Sequence, residues 1–438
     1  MRGRRRRTEQ QNSDNDANTN AVGNQGYQQP RGNAQRLEEV CTPSSEQNDE
    51  LAPLLEGLEN SSNATQRREA VVSLTNWCRD NLPDRTLLHG YMSRTDITDE
   101  EKTQTMGQLA VELAKNEFMV GWSYQGGVTG SSRNWETRGS NRGEFPTYYQ
   151  EQMRTHGAAN GAPWCTSFTG SIFDRLGFAF NEDTSEAQAK SIFWSGYRLT
   201  RWAKNGQSNS RKQLTPVTDI PGAEGSSGAL IESADWRRLR TLIDVTPAEE
   251  RLRVIQQFFE QQPTPQAGDI VVIGSNNTFR SNGRSHTMMI ENYNAAEGTF
   301  TTIEGNADQA IGSRQIDLKI PSDARKMVSL IRMGAELMPH GDAVENAAAQ
   351  SGEASPEMRQ QEQQFIGWYS SIFANPIECG PQNVVTAENL LGHARSVNAR
   401  IAGVAHGKGW IQSGDASDSA HTMQRGSNDT TRRNIHDG

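Results

Sequence analysis

Residues 161–170 read GAPWCTSFTG. Cys165 follows Gly161, Pro163 and Trp164. Beyond it Phe168, Ile172, Phe173 and Leu176 recur at three- to four-residue spacing, up to Gly177. That period predicts an amphipathic helix stopped at Gly177, with Cys165 in its first turn. A helix start carries partial positive charge and unpaired N–H groups. Both favour a thiolate, and both can hold the oxyanion that forms when a thiolate attacks an amide. A lone helical cysteine is more often simple packing, so the reading turns on whether a histidine can reach it.

Of eight histidines, only His286 opens an apolar strand, SHTMMIENY. Two strands are expected, over 287–293 and 299–304, joined by a hairpin loop at 294–298. With the loop centred near 295 or 296, paired residues have numbers summing to about 590 to 592. His286 then lies opposite Glu304 or Asn306. Strand side chains alternate, so both share its face in either register. Cys165, His286 and one of these two polar residues make a nucleophile, a base and an orienting group.

The rest of the chain gives this site a frame. It has 438 residues, only 34% of them hydrophobic, and a mean hydropathy of −0.77. Such a composition implies a globular middle with polar ends. Residues 1–65 read as a disordered polar tail and 66–104 as a helical lead-in, with a short helix at about 68–81. Thr98 and Glu101 form a capping-box pattern ahead of Met106, Leu109, Leu113 and Glu117, which predicts a helix over 99–118. A Gly/Ser-rich loop covers 121–143.

Thr246, Pro247 and Glu249 open a further helix that buries Leu252, Ile255 and Phe259. GDIVVIG, HTMMIENY, GTFTTIEG and KMVSLIRM follow as four short strands. The class is α+β, with N-terminal helices packed on an antiparallel sheet across 105–334. Residues 335–438 are polar, with one helix marked by Leu390, Ala394, Val397, Ile401 and Val404.

Several classes are excluded. A net charge of −9 argues against a general nucleic-acid binder. Four scattered cysteines with no CxxC suggest neither zinc nor a disulfide scaffold. Cys78 reads as a core thiol, Cys41 and Cys379 as loop residues. No apolar run is long enough to cross a membrane as a helix. The basic run Arg4–Arg7 has no apolar segment after it, so no cleaved signal peptide is expected.

APWCTSFTGSIFDRLGF, PQAGDIVVIG, SHTMMIENY and TTIEGNA, in that order, resemble the CHAP domain, the cysteine, histidine-dependent amidohydrolase/peptidase of the NlpC/P60 papain-like superfamily. The resemblance covers roughly 105–334. It implies a papain-like fold in which Cys165 is the nucleophile, His286 the general base, Glu304 the orienting residue and Asn306 a supporting polar group. It makes Asp269 a structural residue at a strand start. It implies hydrolysis of a peptidoglycan amide, by an N-acetylmuramoyl-L-alanine amidase or a peptide endopeptidase, with no metal or organic cofactor. Without a signal peptide, the cell wall would be reached by lysis, injection or non-classical export. Two other readings are a cysteine protease toxin acting on host proteins and a non-catalytic module with a CHAP-like fold. The sequence departs from the pattern at Ser285, where a glycine is usual, and in a long insertion at about 200–260, expected as a lid or specificity wall.

Overall fold

The computed structural model describes residues 45–92, 94, 96–125, 141–153, 163–178, 191–205, 228–231, 233–274, 285–307, 310–334 and 385–408. Residues 1–44 of the tail expected at 1–65, and 335–384 and 409–438 of the polar region expected at 335–438, lie outside these residues, as do Cys41, Cys379 and most of the Gly/Ser-rich loop.

The helices begin with α1 (Ser45–Glu59), α2 (Ala64–Asn81), α3 (Arg85–Met92) and α4 (Asp99–Gln125). The Thr98 cap of α4 closes as its sequence implies. Glu101 N–H donates to Thr98 Oγ1 (3.2 Å) and Thr98 N–H donates to Glu101 Oε2 (2.7 Å). Then come α5 (Glu144–Gln152), α6 (Cys165–Arg175) and α7 (Gly196–Asn205), and later α8 (Ser233–Val245), α9 (Arg251–Phe259) and α10 (Ala387–Gly407). The strands are β1 (Gly228–Ile231), β2 (Ile270–Gly274), β3 (Ser285–Asn294), β4 (Thr299–Ala307), β5 (Ala310–Asp317) and β6 (Met327–Arg332). They form one antiparallel sheet in the order β1-β6-β2-β3-β4-β5.

The runs IVVI and MMI are apolar at every position because the sheet is buried on both faces. Ile270, Val272, Met289, Ile303 and Ile331 join the core shared with α4 and α6. Val271, Ile273, Met288, Ile290, Phe300 and Leu330 join a second core with Trp236, Leu239 and Ile243 of α8 and Ile255, Phe258 and Phe259 of α9. Each fully buried side chain of this kind contributes about 1.5–3 kcal/mol. The result is an α+β sandwich of helices, sheet and helices.

Four expectations need correction. Residues 1–65 are not wholly a polar tail, because α1 buries Leu51, Leu55 and Leu58 in the first core. A lead-in at 66–104 is not separate from a domain at 105–334: α4 runs across that boundary, and α2, α3 and α10 share its core. The described part of the 200–260 insertion is not a lid. It supplies edge strand β1 and the α8–α9 layer that covers the second face of the sheet. Two strands, β1 and β5, join the four expected ones. β5 was hidden because Ser313, Arg314 and Gln315 interrupt its apolar residues.

Before β2, Gly268 adopts φ +87° against Gly107 of α4, where a Cβ on either residue would strike backbone. Asp269 beside it forms a bidentate pair with Arg332 (2.8 Å to each oxygen) and accepts from Gln266 N–H, a structural role.

Candidate active site

The helix that carries Cys165 starts without a side-chain cap. Its first intrahelical bond runs from Phe168 N–H to Trp164 O (2.8 Å), and no side chain at the Trp164 position caps the turn. The N–H groups of Cys165, Thr166 and Ser167 therefore have no partner within the helix. Trp164 is fully buried and stacks on Tyr149 (5.6 Å), while Phe168 meets Tyr149 edge-on (5.2 Å). These two aromatic residues clasp Gly305 of β4. A Cβ there would lie 2.5 Å from Phe168 and 2.9 Å from Trp164. The close approach that glycine allows draws β4, with Glu304, against the start of α6.

His286 reaches Glu304 across the β3–β4 hairpin, with Nε2 2.6 Å from Oε2. Next to the site, Met289 pairs with Ile303 and Ile290 with Thr302, the upper end of the expected register. Nearer the turn the pairing shifts by one, to Asn292 with Thr301. The turn is centred further along the chain than 295–296, and taken alone it would have put His286 and Glu304 on opposite faces. The irregularity at Glu291 restores the parity.

The other oxygen of Glu304 is held by Arg314 of β5, with Nε 2.9 Å from Oε1. Glu304 occupies Nε2 of His286, leaving Nδ1 for Cys165. The sulfur interacts with the His286 ring, with the Thr287 backbone N–H and with the Thr166 hydroxyl, the last at 3.8 Å.

Burial opposes ionisation throughout the site, and partners overcome it. The Cys165 thiol is pushed up by desolvation, but the charge and hydrogen bond of His286, with the Thr287 and Thr166 donors, bring it below the usual thiol value. His286 is pushed down by burial and pulled up more strongly by Glu304 and Cys165, to about 9. Glu304, disfavoured as an anion by burial, is held below the usual carboxylate range by Arg314 and His286. These shifts all favour the charged forms of Cys165, His286 and Glu304 over those of the isolated groups, with signs that alternate along the chain toward Arg314. Cys165 is only 4% exposed, whereas the His286 and Arg314 side chains are 19% and 27% exposed.

Asn306 is not in this chain of contacts. It adopts the left-handed conformation (φ 59°), and its Nδ2 donates to Oδ1 of Asn141 (3.0 Å), itself left-handed (φ 54°). Of the four residues expected at the site, three come together, and the fourth latches the end of β4 to the loop before α5. Sequence reasoning missed Arg314, whose strand was not recognised, and Thr166 and Thr287, whose hydroxyls meet at 2.8 Å.

Among the described residues, no group of three or more His, Cys, Asp or Glu side chains is arranged to hold a metal ion. No helix among them is long and apolar enough to cross a membrane. No protein family, curated protein or solved structure matches the chain.

Proposed function

We propose that this protein is a cysteine amidohydrolase of the CHAP type, with a papain-like arrangement of its α+β fold, that cuts an amide bond in peptidoglycan. The observation that carries the chemistry is the Cys165–His286–Glu304–Arg314 chain of alternating charge at an uncapped helix start. The substrate class rests on the resemblance of the W-C-x-x-F and E-G-N segments.

In this reading the Cys165 thiolate attacks the amide carbonyl carbon, and the first-turn N–H groups of α6 stabilise the oxyanion. The His286 imidazolium gives its proton to the leaving amine as the C–N bond breaks, which leaves a thioester on Cys165. His286 then takes a proton from water, and the hydroxide attacks the thioester. The carboxylic acid departs and the thiolate–imidazolium pair returns. Glu304 holds the ring and stabilises its charge, and Arg314 holds Glu304. None of these steps requires a metal or an organic cofactor. Both an N-acetylmuramoyl-L-alanine amide and a stem-peptide bond fit this chemistry, and either would be met at the cell wall.

The test is a zymogram on purified cell walls, run beside a panel of protein substrates, with wild type and Cys165→Ala. Clearing of walls by wild type alone supports the proposal. Hydrolysis of proteins with intact walls replaces it by a cysteine protease acting on host proteins. Failure on both, with Cys165 unreactive to alkylation, leaves a binding module.

A further inference from the structure

Thr166 directly follows Cys165 on α6, and Thr287 directly follows His286 on β3. Their hydroxyl oxygens lie 2.8 Å apart in a seam where both residues are buried. Each hydroxyl has one proton to donate. When Thr287 donates to Thr166, the Thr166 proton is released for the Cys165 sulfur, 3.8 Å away. When Thr166 donates to Thr287, the sulfur loses that donor. The backbone N–H of Thr287 also favours the anion of the same sulfur. A thiolate accepts hydrogen bonds more strongly than a hydroxyl does, because its charge assists the bond. A thioester sulfur carries no such charge.

We propose that Thr166 and Thr287 are positioning residues: a two-hydroxyl relay that turns toward the Cys165 sulfur when it is a thiolate and back when it is acylated. The relay fixes the sulfur facing Nδ1 of His286 and helps keep it ionised. Neither hydroxyl touches the scissile bond. The competing account is a pin that merely joins α6 to β3. Valine would fill the same space in either account, so hydroxyl chemistry separates the two. The inference rests on Cys165 being the activated nucleophile, but its test requires no hydrolysis.

The experiment follows alkylation of Cys165 by iodoacetamide in the full-length chain across pH 5–10, located by peptide mass spectrometry, with thermal unfolding in parallel. Thr166→Val should raise the midpoint of the profile by about one pH unit, so alkylation below the midpoint slows about tenfold. Thr166→Ser, which keeps the hydroxyl, should match wild type. Thr287→Val breaks the same hydroxyl pair but leaves the Thr166 proton for the sulfur, so its profile should move less than that of Thr166→Val. Should Thr166→Val not fold, Thr166→Ala against Thr166→Ser makes the same comparison without added bulk. A profile unmoved in Thr166→Val, or moved equally in both valine variants, reduces the pair to a pin and overturns the relay. A wild-type midpoint at the ordinary thiol value of about 8.5 overturns the activated-cysteine reading beneath it.

Discussion

Cys78 and Cys165 are both free, both buried and both helical, yet their thiols are displaced in opposite directions. Cys78 sits near the C-terminal end of α2, Cys165 at the first residue of α6. Burial pushes Cys78 up to about 12, although the guanidinium groups of Arg79 and Arg175 are near it and Asn116 donates to its sulfur (3.5 Å). Those two cations are already committed. Glu117 takes a bidentate bond from Arg79 (3.0 and 2.9 Å), one from Arg175 (2.9 Å) and one from the Tyr149 hydroxyl (2.6 Å). Burial opposes the Glu117 charge, but these partners bring its pKa down to about 2.

At Cys165 the cation is a histidine, whose charge appears together with that of the thiolate and is supported from behind by Glu304. A cation whose donors are directed at other acceptors does little for a neighbouring thiol; one that hydrogen-bonds the sulfur itself does more. The first arrangement joins α2, α4, α5 and α6. The second, in the proposed function, prepares a nucleophile.

Exchanging the two thiols for alanine should give the largest contrast. Cys165→Ala should reduce turnover on cell walls to background and move the thermal midpoint by only a few degrees. Loss of both fold and activity would make Cys165 a packing residue.

Glu117→Gln should come next. It leaves two buried arginines without their carboxylate, at a cost of about 3–5 kcal/mol in chemical denaturation. The alkylation profile of Cys165 should stay where it is, because this network lies outside the thiol–imidazole pair.

Glu304→Gln should slow turnover at neutral pH about tenfold or more and raise the alkylation midpoint of Cys165. Losing the carboxylate lowers the pKa of His286, and with it the stability of the ion pair. Asn306→Ala, which breaks only the latch to Asn141, should move that midpoint little. The reverse ranking would exchange their roles.

The working pH range follows from the same shifts. His286 is raised in the fold, so its contribution to stability is complete below about 6.5 and is lost as pH rises through about 9. Cys165 is lowered, so its contribution is complete above the ordinary thiol value and is lost as pH falls through its folded value. Activity should therefore form a bell whose alkaline limb lies near 9. A pH–rate profile that stays flat through 9 would remove His286 from the mechanism.

The smallest effect is expected at the other thiol. Cys78→Ala should cost about 1 kcal/mol of stability through lost packing and leave the pH–rate profile unchanged.

What could be read in advance depended on local periodicity. The α6 period and the β3–β4 alternation are properties of neighbouring residues, so Cys165, His286 and Glu304 could be brought together on paper. Glu117 also left a signal, as the one carboxylate in line with Met106, Leu109 and Leu113 of α4. The expected register holds beside the site only because the irregularity at Glu291 offsets a turn centred further along the chain than its sequence suggests. Nothing local announces a bulge. Arg314 was invisible because its contact depends on a strand pairing whose polar residues look like a turn. Leu51, Leu55 and Leu58 do keep a helical period, but the Asn-, Gln- and Ser-rich composition before them outweighs three leucines. The role of 233–259 was unreadable because an amphipathic helix does not reveal which face of a sheet it will cover.

The position of α10 has a consequence for how the protein is made. Its Leu390, Ala394, Val397 and Ile401 complete the same core that α1 begins, and Asn398 donates to the backbone and carboxylate of Glu112 across 286 residues of chain. At about 5–20 residues per second, that separation is roughly 15–60 s of synthesis. Throughout that interval the emerging chain carries α4 with one flank of its apolar surface uncovered. The core around the cysteine helix is therefore complete only once α10 has left the ribosome.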